Sequence, residues 1–594
     1  MARDPAPPEG PRYEGDDLST APTATENSPL LQSETASSRT LTPRDDSPAS
    51  AARTGSAAPR VRNDSEPAIG WKRAVCIILS MWALIFLQAS NMSGMTMTQS
   101  IIATDLDAYE SAMWFTSSYL IVMASLAPLI GRLAMIFSPG HMVLVSALFF
   151  AVGAVVTSQA RSFGVFILGR VLTGVGGGGV LTLAMILVLQ LTSKKRRGLF
   201  IGLTNAGFTI GLSTGAVVYG ALLSTMGWRA LFWLQAPFGL LAGLGVYLSL
   251  PPFAVHGSTK AKTVLQKLAA IDYAGAIALI LTIVLFLYGL SGNIRILPIV
   301  LSAISLLAFV AIEYLVASDP IIPLTVLQSR GILLSCMAQL GFMAARWTVL
   351  YFAPIFVLAV RGLSPTVAGA VLVPTNLGFG SGGLVVGWLH VRRAGSFYAP
   401  SLASLLFFAI ALAGLSFLST AAAPAWLYVL VVFLNGFGTG AALNYTLAHL
   451  LHLSAPEEHF IATSLLATFR GFAGSFGTAI GGGIFARRLR ASLTSGFELL
   501  DGGDGILDPG RRELITRLIG SPALVFGGDL SDAERAVAVR GYEDSLRVLY
   551  RSAAALCILV LLVQAGTGWS GVAAKEDAEE VEEAVAEHDA AMEA

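Results

Sequence analysis

The chain has 594 residues, of which 54% are hydrophobic and only 13% charged, with 61 glycines and a formal net charge of zero. Soluble domains usually carry about 25% charged residues, so this composition indicates a polytopic membrane protein. The absence of net positive charge argues against a nucleic-acid partner.

Residues 1–70 are rich in Ser, Thr, Pro and Ala and lack any apolar periodicity, which predicts a disordered cytosolic tail. Within it, Glu26 precedes the pair Leu30 and Leu31 at the spacing that endosomal and vacuolar sorting adaptors read. We therefore expect a sorting adaptor as a partner, although such strings also arise by chance in low-complexity tails. The first apolar run begins at Ala74, so the first span should act as an uncleaved anchor.

Fourteen apolar segments follow, most of them long enough to cross a hydrocarbon core about 30 Å thick. Basic clusters fall in alternate loops, which places those loops and both termini in the cytosol. The predicted spans are 74–98, 111–131, 141–158, 164–190, 198–223, 229–250, 272–291, 296–317, 332–360, 366–389, 399–420, 426–452, 461–485 and 548–570.

Three short strings recur in the same order at nearly constant spacing, which indicates an internal repeat. They are Gly131-Arg-Leu133 with Gly387-Trp-Leu389 (256 residues on), Thr173-Gly-Val-Gly-Gly-Gly178 with Asn435-Gly-Phe-Gly-Thr-Gly440 (262 on), and Gly207-Phe208 with Gly471-Phe472 (264 on).

The repeat predicts how the chain is divided. We expect two homologous six-helix halves, a linker that carries two inserted transmembrane helices, a long non-cytosolic loop within the second half, and an acidic cytosolic tail. The corresponding ranges are 71–250 and 332–570 for the halves, 251–331 for the linker, 488–547 for the loop and 571–594 for the tail.

Four stretches carry a resemblance to a known family. They are Arg170 with Gly174 and Gly176, Gly227-Trp-Arg229 through Pro237-Phe-Gly239, Arg361-Gly-Leu-Ser-Pro365 with Gly369 and Pro374, and Ala462-Thr-Ser464 with Phe469-Arg-Gly471. From residue 72 to 570 the chain resembles the major facilitator superfamily, and within it the fourteen-span fungal drug:proton antiporter family. The sorting-like string and the glycine run 174–179 lean toward the fungal vacuolar basic amino acid transporters.

The resemblance implies an all-α membrane protein with the major facilitator fold, fourteen transmembrane helices and no cofactor. It also implies transport by alternating access between two halves around a central site. The implied location is the vacuolar membrane, with the plasma membrane as the alternative.

The resemblance also implies gating positions, and the chain departs from the family pattern there. The loop after the second span keeps Gly131 and Leu133 of the family motif, with Arg132 between them, but Met135 stands where the family has a gating aspartate. The fifth-helix motif keeps Gly211 and Gly215 but lacks the expected proline that follows. We therefore expect Gly131, Arg132, Met135, Gly211 and Gly215 to gate the transporter without the usual charge relay.

A charge census identifies candidate substrate-binding residues. Within the twelve core spans the central ionisable residues are Arg170, Arg346 and Arg470, and no carboxylate accompanies them, because Asp272 and Glu313 lie on the inserted spans. An arginine at the centre of a span costs roughly 2.5 to 3.5 kcal/mol, so it should face a cavity or a partner. Guanidinium groups bind carboxylates through a bidentate fork, which favours an anionic or zwitterionic solute and conflicts with a basic substrate. A purely structural role for Arg470, bonding helix carbonyls, stays open.

Three polar residues complete the predicted site. Asn91 stands where the family places a proton-carrying aspartate, and it cannot titrate, which puts proton coupling in doubt. Asn444 and Tyr445 supply polar contacts on the twelfth span. No metal site, nucleophile or nucleotide-binding motif is evident, so we do not expect an enzyme.

The predicted function is transport of a small organic solute across a lipid membrane, with an amino acid as the expected class and the proton as a second candidate partner. One alternative is a multidrug exporter of the drug:proton antiporter type. The other is a receptor or scaffold that keeps the fold without transport.

Overall fold

The computed structural model describes residues 70–192, 197–250, 268, 271–291, 294–316, 328–389, 396–454, 459–502, 508–528 and 530–569. Within these ranges the regular structure is helical, with no strand. The helices are α1 (Trp71–Asp105), α2 (Trp114–Ile136), α3 (Pro139–Ser158), α4 (Phe163–Leu191), α5 (Arg197–Ser249), α6 (Tyr273–Leu290), α7 (Ile296–Leu315), α8 (Arg330–Ala359), α9 (Pro365–Ala370), α10 (Leu372–Leu389), α11 (Tyr398–Leu418), α12 (Ala425–Leu453), α13 (His459–Leu500), α14 (Pro509–Gly520) and α15 (Asp532–Ala565), with 3₁₀ turns at Tyr109–Ser111 and Pro522–Phe526.

Several predictions fall on other parts of the chain. The sorting residues Glu26, Leu30 and Leu31, the rest of the predicted tail up to residue 69, and the acidic tail 571–594 lie outside the described residues.

Helix starts follow local chemistry. Pro139 and Pro365 occupy the first turns of α3 and α9, where a missing N–H costs no hydrogen bond. Asp272 caps α6 by accepting a hydrogen bond from Gly275 N–H at 2.8 Å. Ser531 and Glu534 form a reciprocal capping box that starts α15.

Twelve helices of the described chain are long and apolar enough to cross a membrane, and α5 holds two spans. A Cβ atom at Gly207 would lie 2.5 Å from Trp82, and one at Gly245 would lie 2.5 Å from Ser80. Both arms of α5 therefore contact the same turns of α1, so the chain reverses at Gly227, whose φ of +73° favours glycine. With the glycine-rich α13 this gives fourteen spans, and the predicted all-α membrane fold is confirmed.

The two halves repeat one packing contact, in which two glycines of one helix lie against carbonyl oxygens of a neighbouring helix. Glycine permits this close approach because it has no Cβ. The glycines are 262 residues apart and their partners 256 apart, the same offsets as in the sequence repeat. The pairs are Gly174 on Tyr119 and Gly178 on Met123 in the first half, and Gly436 on Thr375 and Gly440 on Phe379 in the second.

The halves meet through three sets of helices: α1 with α8 and α9, α2 with α13, and α5 with α9 and α10. The inserted helices α6 and α7 pack on each other, and α6 contacts α2 and α13. We call the end of the bundle where α1 and α8 begin the proximal end, and the end where they finish the distal end.

The segment 488–547 was expected to be a loop, but most of it is helical. Helix α13 continues to Leu500 and α15 begins at Asp532. Leu489, Leu493 and Phe497 recur every four residues and are buried, which gives the extension an apolar face that ordinary hydropathy does not reveal.

Residues 509–526, which we call the distal cap, lie against the distal ends of both halves. A Cβ at Gly520 would lie 2.5 Å from the Tyr109 backbone, and Ala523 N–H donates to Ser100 Oγ at 3.4 Å. Phe526 lies against Gly362 of the second half. The cap therefore touches both halves where they close.

Candidate substrate site

Arg170 is fully buried on α4 and is held by neutral groups. Its Nε donates to Phe115 O at 2.8 Å, and its Nη1 donates to Asn91 Oδ1 at 2.6 Å. The guanidinium carbon lies 4.7 Å from the centre of the Tyr119 ring, a distance at which cation–π attraction operates. Nη2 has no hydrogen-bond partner among the residues that the structure describes. The charge is thus enclosed between α1, α2 and α4.

Asn91 links Arg170 to α5 through a buried chain of amides. Because arginine only donates, Asn91 presents its oxygen to Arg170 and its amino group to α5. Asn91 Nδ2 donates to Gln235 Oε1 at 2.9 Å, and Gln235 Nε2 donates to Leu231 O at 3.2 Å and to the Tyr219 hydroxyl. This network lies entirely within the first half.

Arg346 lies on α8, in the second half, and is 4% exposed. Its Nη2 donates to Asn376 Oδ1 at 2.9 Å, and its Nη1 lies 3.4 Å from Thr375 Oγ1. The guanidinium carbon lies 4.6 Å from the Phe379 ring centre. Arg346 forms no ion pair with a carboxylate of the described chain.

The Arg346 contacts continue across the boundary between the halves. Asn376 Nδ2 donates to Ser213 Oγ of α5 at 2.8 Å. The Ser213 hydroxyl is also 3.0 Å from Thr209 O and 3.5 Å from Leu372 O. Arg346 is therefore connected, through one amide, to a helix of the opposite half.

Immediately distal to Ser213, the two halves touch at backbone level. A Cβ at Gly369 would lie 2.5 Å from Ala216 O, and a Cβ at Gly220 would lie 2.6 Å from Pro365 O. We call this contact of α5 with α9 the distal seal. A further link between the halves, from the Tyr351 hydroxyl of α8 to Gln99 Oε1 of α1, also lies on the distal side.

The other predicted substrate residues are not joined directly to Arg346. Arg470 is half-buried on α13 and forms no hydrogen bond or ion pair with a described residue. Asn444 Nδ2 donates to Gly440 O of its own helix at 3.0 Å, and Tyr445 is half-buried beside it. Within the described ranges no three His, Cys, Asp or Glu side chains form a possible metal site.

The predicted gating glycines of α5 lie inside the first half. A Cβ at Gly211 would lie 2.9 Å from Phe86 O, and Gly215 lies against Ser90, so both let α5 approach α1 closely. At Gly131 a Cβ would meet nothing closer than 3.8 Å, so packing there does not require glycine. Arg132 and Met135 lie in the last turns of α2, near the proximal end.

Sequence reasoning missed several polar residues of these networks, among them Ser213, Tyr219, Gln235 and Gln99. Amides within membrane spans usually face the bundle interior, so Gln235 and Gln99 could have been found by that signal. Ser213 carries no such signal, because a serine in a helix normally bonds to a carbonyl of its own preceding turn.

Comparison with known proteins gives the family. The profile of the Major Facilitator Superfamily matches residues 79–478. The Schizosaccharomyces pombe "Vacuolar membrane amino acid uptake transporter fnx2" is 28% identical over 389 residues, which cover 62% of this chain and 65% of that protein. The "Multidrug resistance protein fnx1" of the same organism is 26% identical over 460 residues, covering 76% and 84%.

A solved structure agrees at the level of the fold. The bacterial homologue of the human lysosomal transporter Spinster superposes with a TM-score of 0.58 at 15% identity, covering 84% of this chain and 99% of that chain. Together with the profile match, which spans more than half of the sequence, this shows that the chain belongs to the major facilitator superfamily.

Proposed function

We propose that this protein transports an amino acid by alternating access and that Arg346 binds the carboxylate of the solute. One observation carries the proposal: a buried guanidinium lies where the two halves meet, held only by neutral oxygens and an aromatic ring. A buried arginine is costly without a counter-charge, and a solute carboxylate would supply one through two parallel hydrogen bonds.

The remaining predicted residues have supporting roles in this proposal. Arg170 holds α1 against α4 through Asn91 and contributes positive charge from within the first half. Arg470, Asn444 and Tyr445 provide further polar contact on α13 and α12. The positive charges of Arg346 and Arg170 favour acidic or zwitterionic amino acids over basic ones, against the preference that the vacuolar resemblance implies.

The decisive variant is Arg346→Lys, assayed by uptake of radiolabelled L-glutamate, L-leucine and L-lysine into liposomes that contain the purified protein. We expect a loss of about tenfold or more in uptake, because a lysine ammonium is a point charge and cannot reproduce the bidentate fork. Arg490→Lys, at an exposed position of α13, is the matched control and should transport normally. Full uptake by Arg346→Lys would show that the arginine is structural.

A multidrug exporter is the second candidate, because the multidrug relative matches a larger share of both chains than the amino acid transporter does. Buried arginines repel cationic drugs, which favours the amino acid. Uptake of a labelled hydrophobic cation but of no amino acid would establish the drug exporter. Absence of flux for all solutes would favour the receptor or scaffold.

We also propose that the protein lies in the vacuolar membrane and that Glu26, Leu30 and Leu31 form the sorting signal that directs it there. The supporting facts are the spacing of these residues and the named location of one relative. Replacing Leu30 and Leu31 by alanine should move a fluorescent fusion protein from the vacuole to the cell surface, as seen by microscopy. A vacuolar signal that persists in this variant would contradict the assignment.

A further inference from the structure

We propose that Asn376 couples occupancy of Arg346 to the distal seal: a carboxylate bound at Arg346 releases the hydrogen bond that Asn376 makes to Ser213 of the opposite half. This inference rests on the proposed role of Arg346 in binding a carboxylate. It assigns to Asn376 a positioning role between the solute and the contact of the two halves.

The orientation of the Asn376 amide follows from the arginine. Arg346 can only donate, so it fixes Oδ1 of the amide toward α8 at 2.9 Å. The amino group must then point the other way, and it reaches Ser213 Oγ at 2.8 Å. Asn376 and Ser213 are 3% and 8% exposed, so bulk water does not compete for these hydrogen bonds.

A bound carboxylate changes this arrangement because it competes for the same donor. A carboxylate that binds end-on takes one N–H from each of Nη1 and Nη2, the two nitrogens that Thr375 and Asn376 now use, and so replaces the Arg346–Asn376 hydrogen bond. Once that bond is lost, nothing fixes the amide, and its bond to Ser213 weakens. The next residues on α5, from Ala216 onward, form the distal seal, so this bond lies at the edge of the contact that must open.

The size of the effect is bounded by one hydrogen bond. Loss of one buried neutral hydrogen bond between the halves should change the ratio of distal-open to distal-closed protein by about fivefold. A solute can shift this ratio only by as much as its affinity differs between the two states. The empty transporter is thereby held closed at the distal end, and a bound solute favours opening.

Ser213→Ala tests the bridge because it removes the acceptor on α5 and leaves Arg346 with its Asn376 contact. It also removes the long 3.5 Å contact of the Ser213 hydroxyl with Leu372 O. Thr214→Ala is the matched control, since the Thr214 hydroxyl is exposed and donates only to Ile210 O of its own helix, at 2.7 Å. Ser213→Thr keeps the hydroxyl and should restore the behaviour of the unmodified protein.

The readout is the distance between spin labels on the two halves in full-length protein in lipid nanodiscs. Met226→Cys and Leu363→Cys place labels at exposed distal positions, in a variant that lacks the three native cysteines. Without solute, Ser213→Ala should raise the distal-open population about fivefold, while the Thr214→Ala control and Ser213→Thr stay unchanged. An unchanged distance distribution in Ser213→Ala overturns the proposal.

A second variant, Asn376→Asp, tests the competition. Its carboxylate pairs with Arg346 and accepts from the Ser213 hydroxyl, so the bridge persists while the arginine is occupied. We expect binding of L-glutamate and L-leucine, measured by calorimetry, to weaken at least about tenfold in Asn376→Asp. Ser213→Ala has already lost the bond that the solute would break, so it should bind up to about fivefold more tightly than the unmodified protein. Undiminished binding by Asn376→Asp also overturns the proposal.

These results separate the two claims. The proposed function fails, and the coupling fails with it, if neither amino acid binds the unmodified protein. The same holds if Arg346→Lys binds these amino acids as tightly as the unmodified protein does. If binding depends on Arg346 but bound solute leaves the label distances unchanged, the coupling alone is wrong.

Discussion

Two buried arginines are stabilised in different ways, and this difference separates their roles. Arg170 is enclosed within one half, where Asn91, the Phe115 carbonyl and the Tyr119 ring surround it. Arg346 lies at the boundary, and its acceptor Asn376 is itself bonded to the other half. Loss of Arg170 should therefore disturb the packing of one half, whereas loss of Arg346 should disturb the relation between the halves.

The substitution Asn91→Asp would add a titratable group beside Arg170. The aspartate would accept from Arg170 Nη1 across the present 2.6 Å contact, and the Gln235 amide would turn to donate to it. The site would then contain a carboxylate that gains and loses a proton. We expect amino acid uptake into liposomes to become pH-dependent in this variant.

Asn205→Asp provides the control for this change, because it adds an acid to α5 at a half-buried position whose side chain makes no hydrogen bond with a described residue. Its uptake should keep the pH profile of the unmodified protein. If Asn91→Asp shows that same profile, position 91 does not reach the transport cycle.

At the scale of elements, the distal cap connects the distal ends of the two halves, which must separate during alternating access. It contacts Ser100 and Tyr109 of the first half and Gly362 of the second. Arg511 fastens it to the helical extensions through Asp501, at 3.0 Å, and Glu534. Distal opening therefore requires the cap to leave one half, and its contacts add to the stability of the distal-closed state.

Gly520→Val tests the docking of the cap. A Cβ at this position would lie 2.5 Å from the Tyr109 backbone, too close for any side chain, so the cap must lift from the first half. We expect faster amide hydrogen exchange in residues 509–526 and a larger distal-open population. Gly527→Ala is the control, because its nearest contact would be an ordinary 3.6 Å. Unchanged exchange in Gly520→Val would show that the cap does not depend on this contact.

Hydropathy predicted the membrane spans well because each span must be apolar over its own length. It failed for the extensions of α13 and α15, where only one helix face is apolar and charged residues cover the rest. The spacing of Leu489, Leu493 and Phe497 contained that information, and a periodicity analysis would have found it. The Asn376 bridge could not be predicted in this way, because it joins residues 163 positions apart across two halves.

At the scale of the whole molecule, the two halves share the same helix packing, but their buried charged residues do not occupy corresponding positions. The glycine contacts of the two halves keep offsets of 256 and 262 residues, yet the position 262 residues after Arg170 is the buried Val432. Among the described residues each half has one fully or almost fully buried arginine, on α4 in the first half and on α8 in the second. Under the proposed function the binding site is therefore asymmetric although the two halves pack alike, because the arginine of α8 is the one at the junction of the halves.

The described core helices contain no buried carboxylate, and this bears on which gradient drives transport. Among the described residues the only buried acidic side chain is Glu313, on the inserted helix α7, which packs against α6 at the edge of the bundle. Proton-driven transport needs a group that exchanges a proton within the cavity, and carboxylates usually serve. Asn91 fills the position where the family resemblance implies such a group.

We therefore predict weak or absent proton coupling. In liposomes, amino acid flux should follow the solute gradient and change by less than about twofold when the proton gradient is collapsed, because no central group of the described chain can carry the proton. The Asn91→Asp variant, assayed in the same vesicles, is the positive comparison, since it restores an acid beside Arg170 and should respond to the gradient. Concentrative uptake by the unmodified protein that a protonophore abolishes would refute this prediction. Glu313→Gln would then be the next variant to assay, because loss of that uptake would place the proton carrier on the inserted helices and give α7 a part in transport.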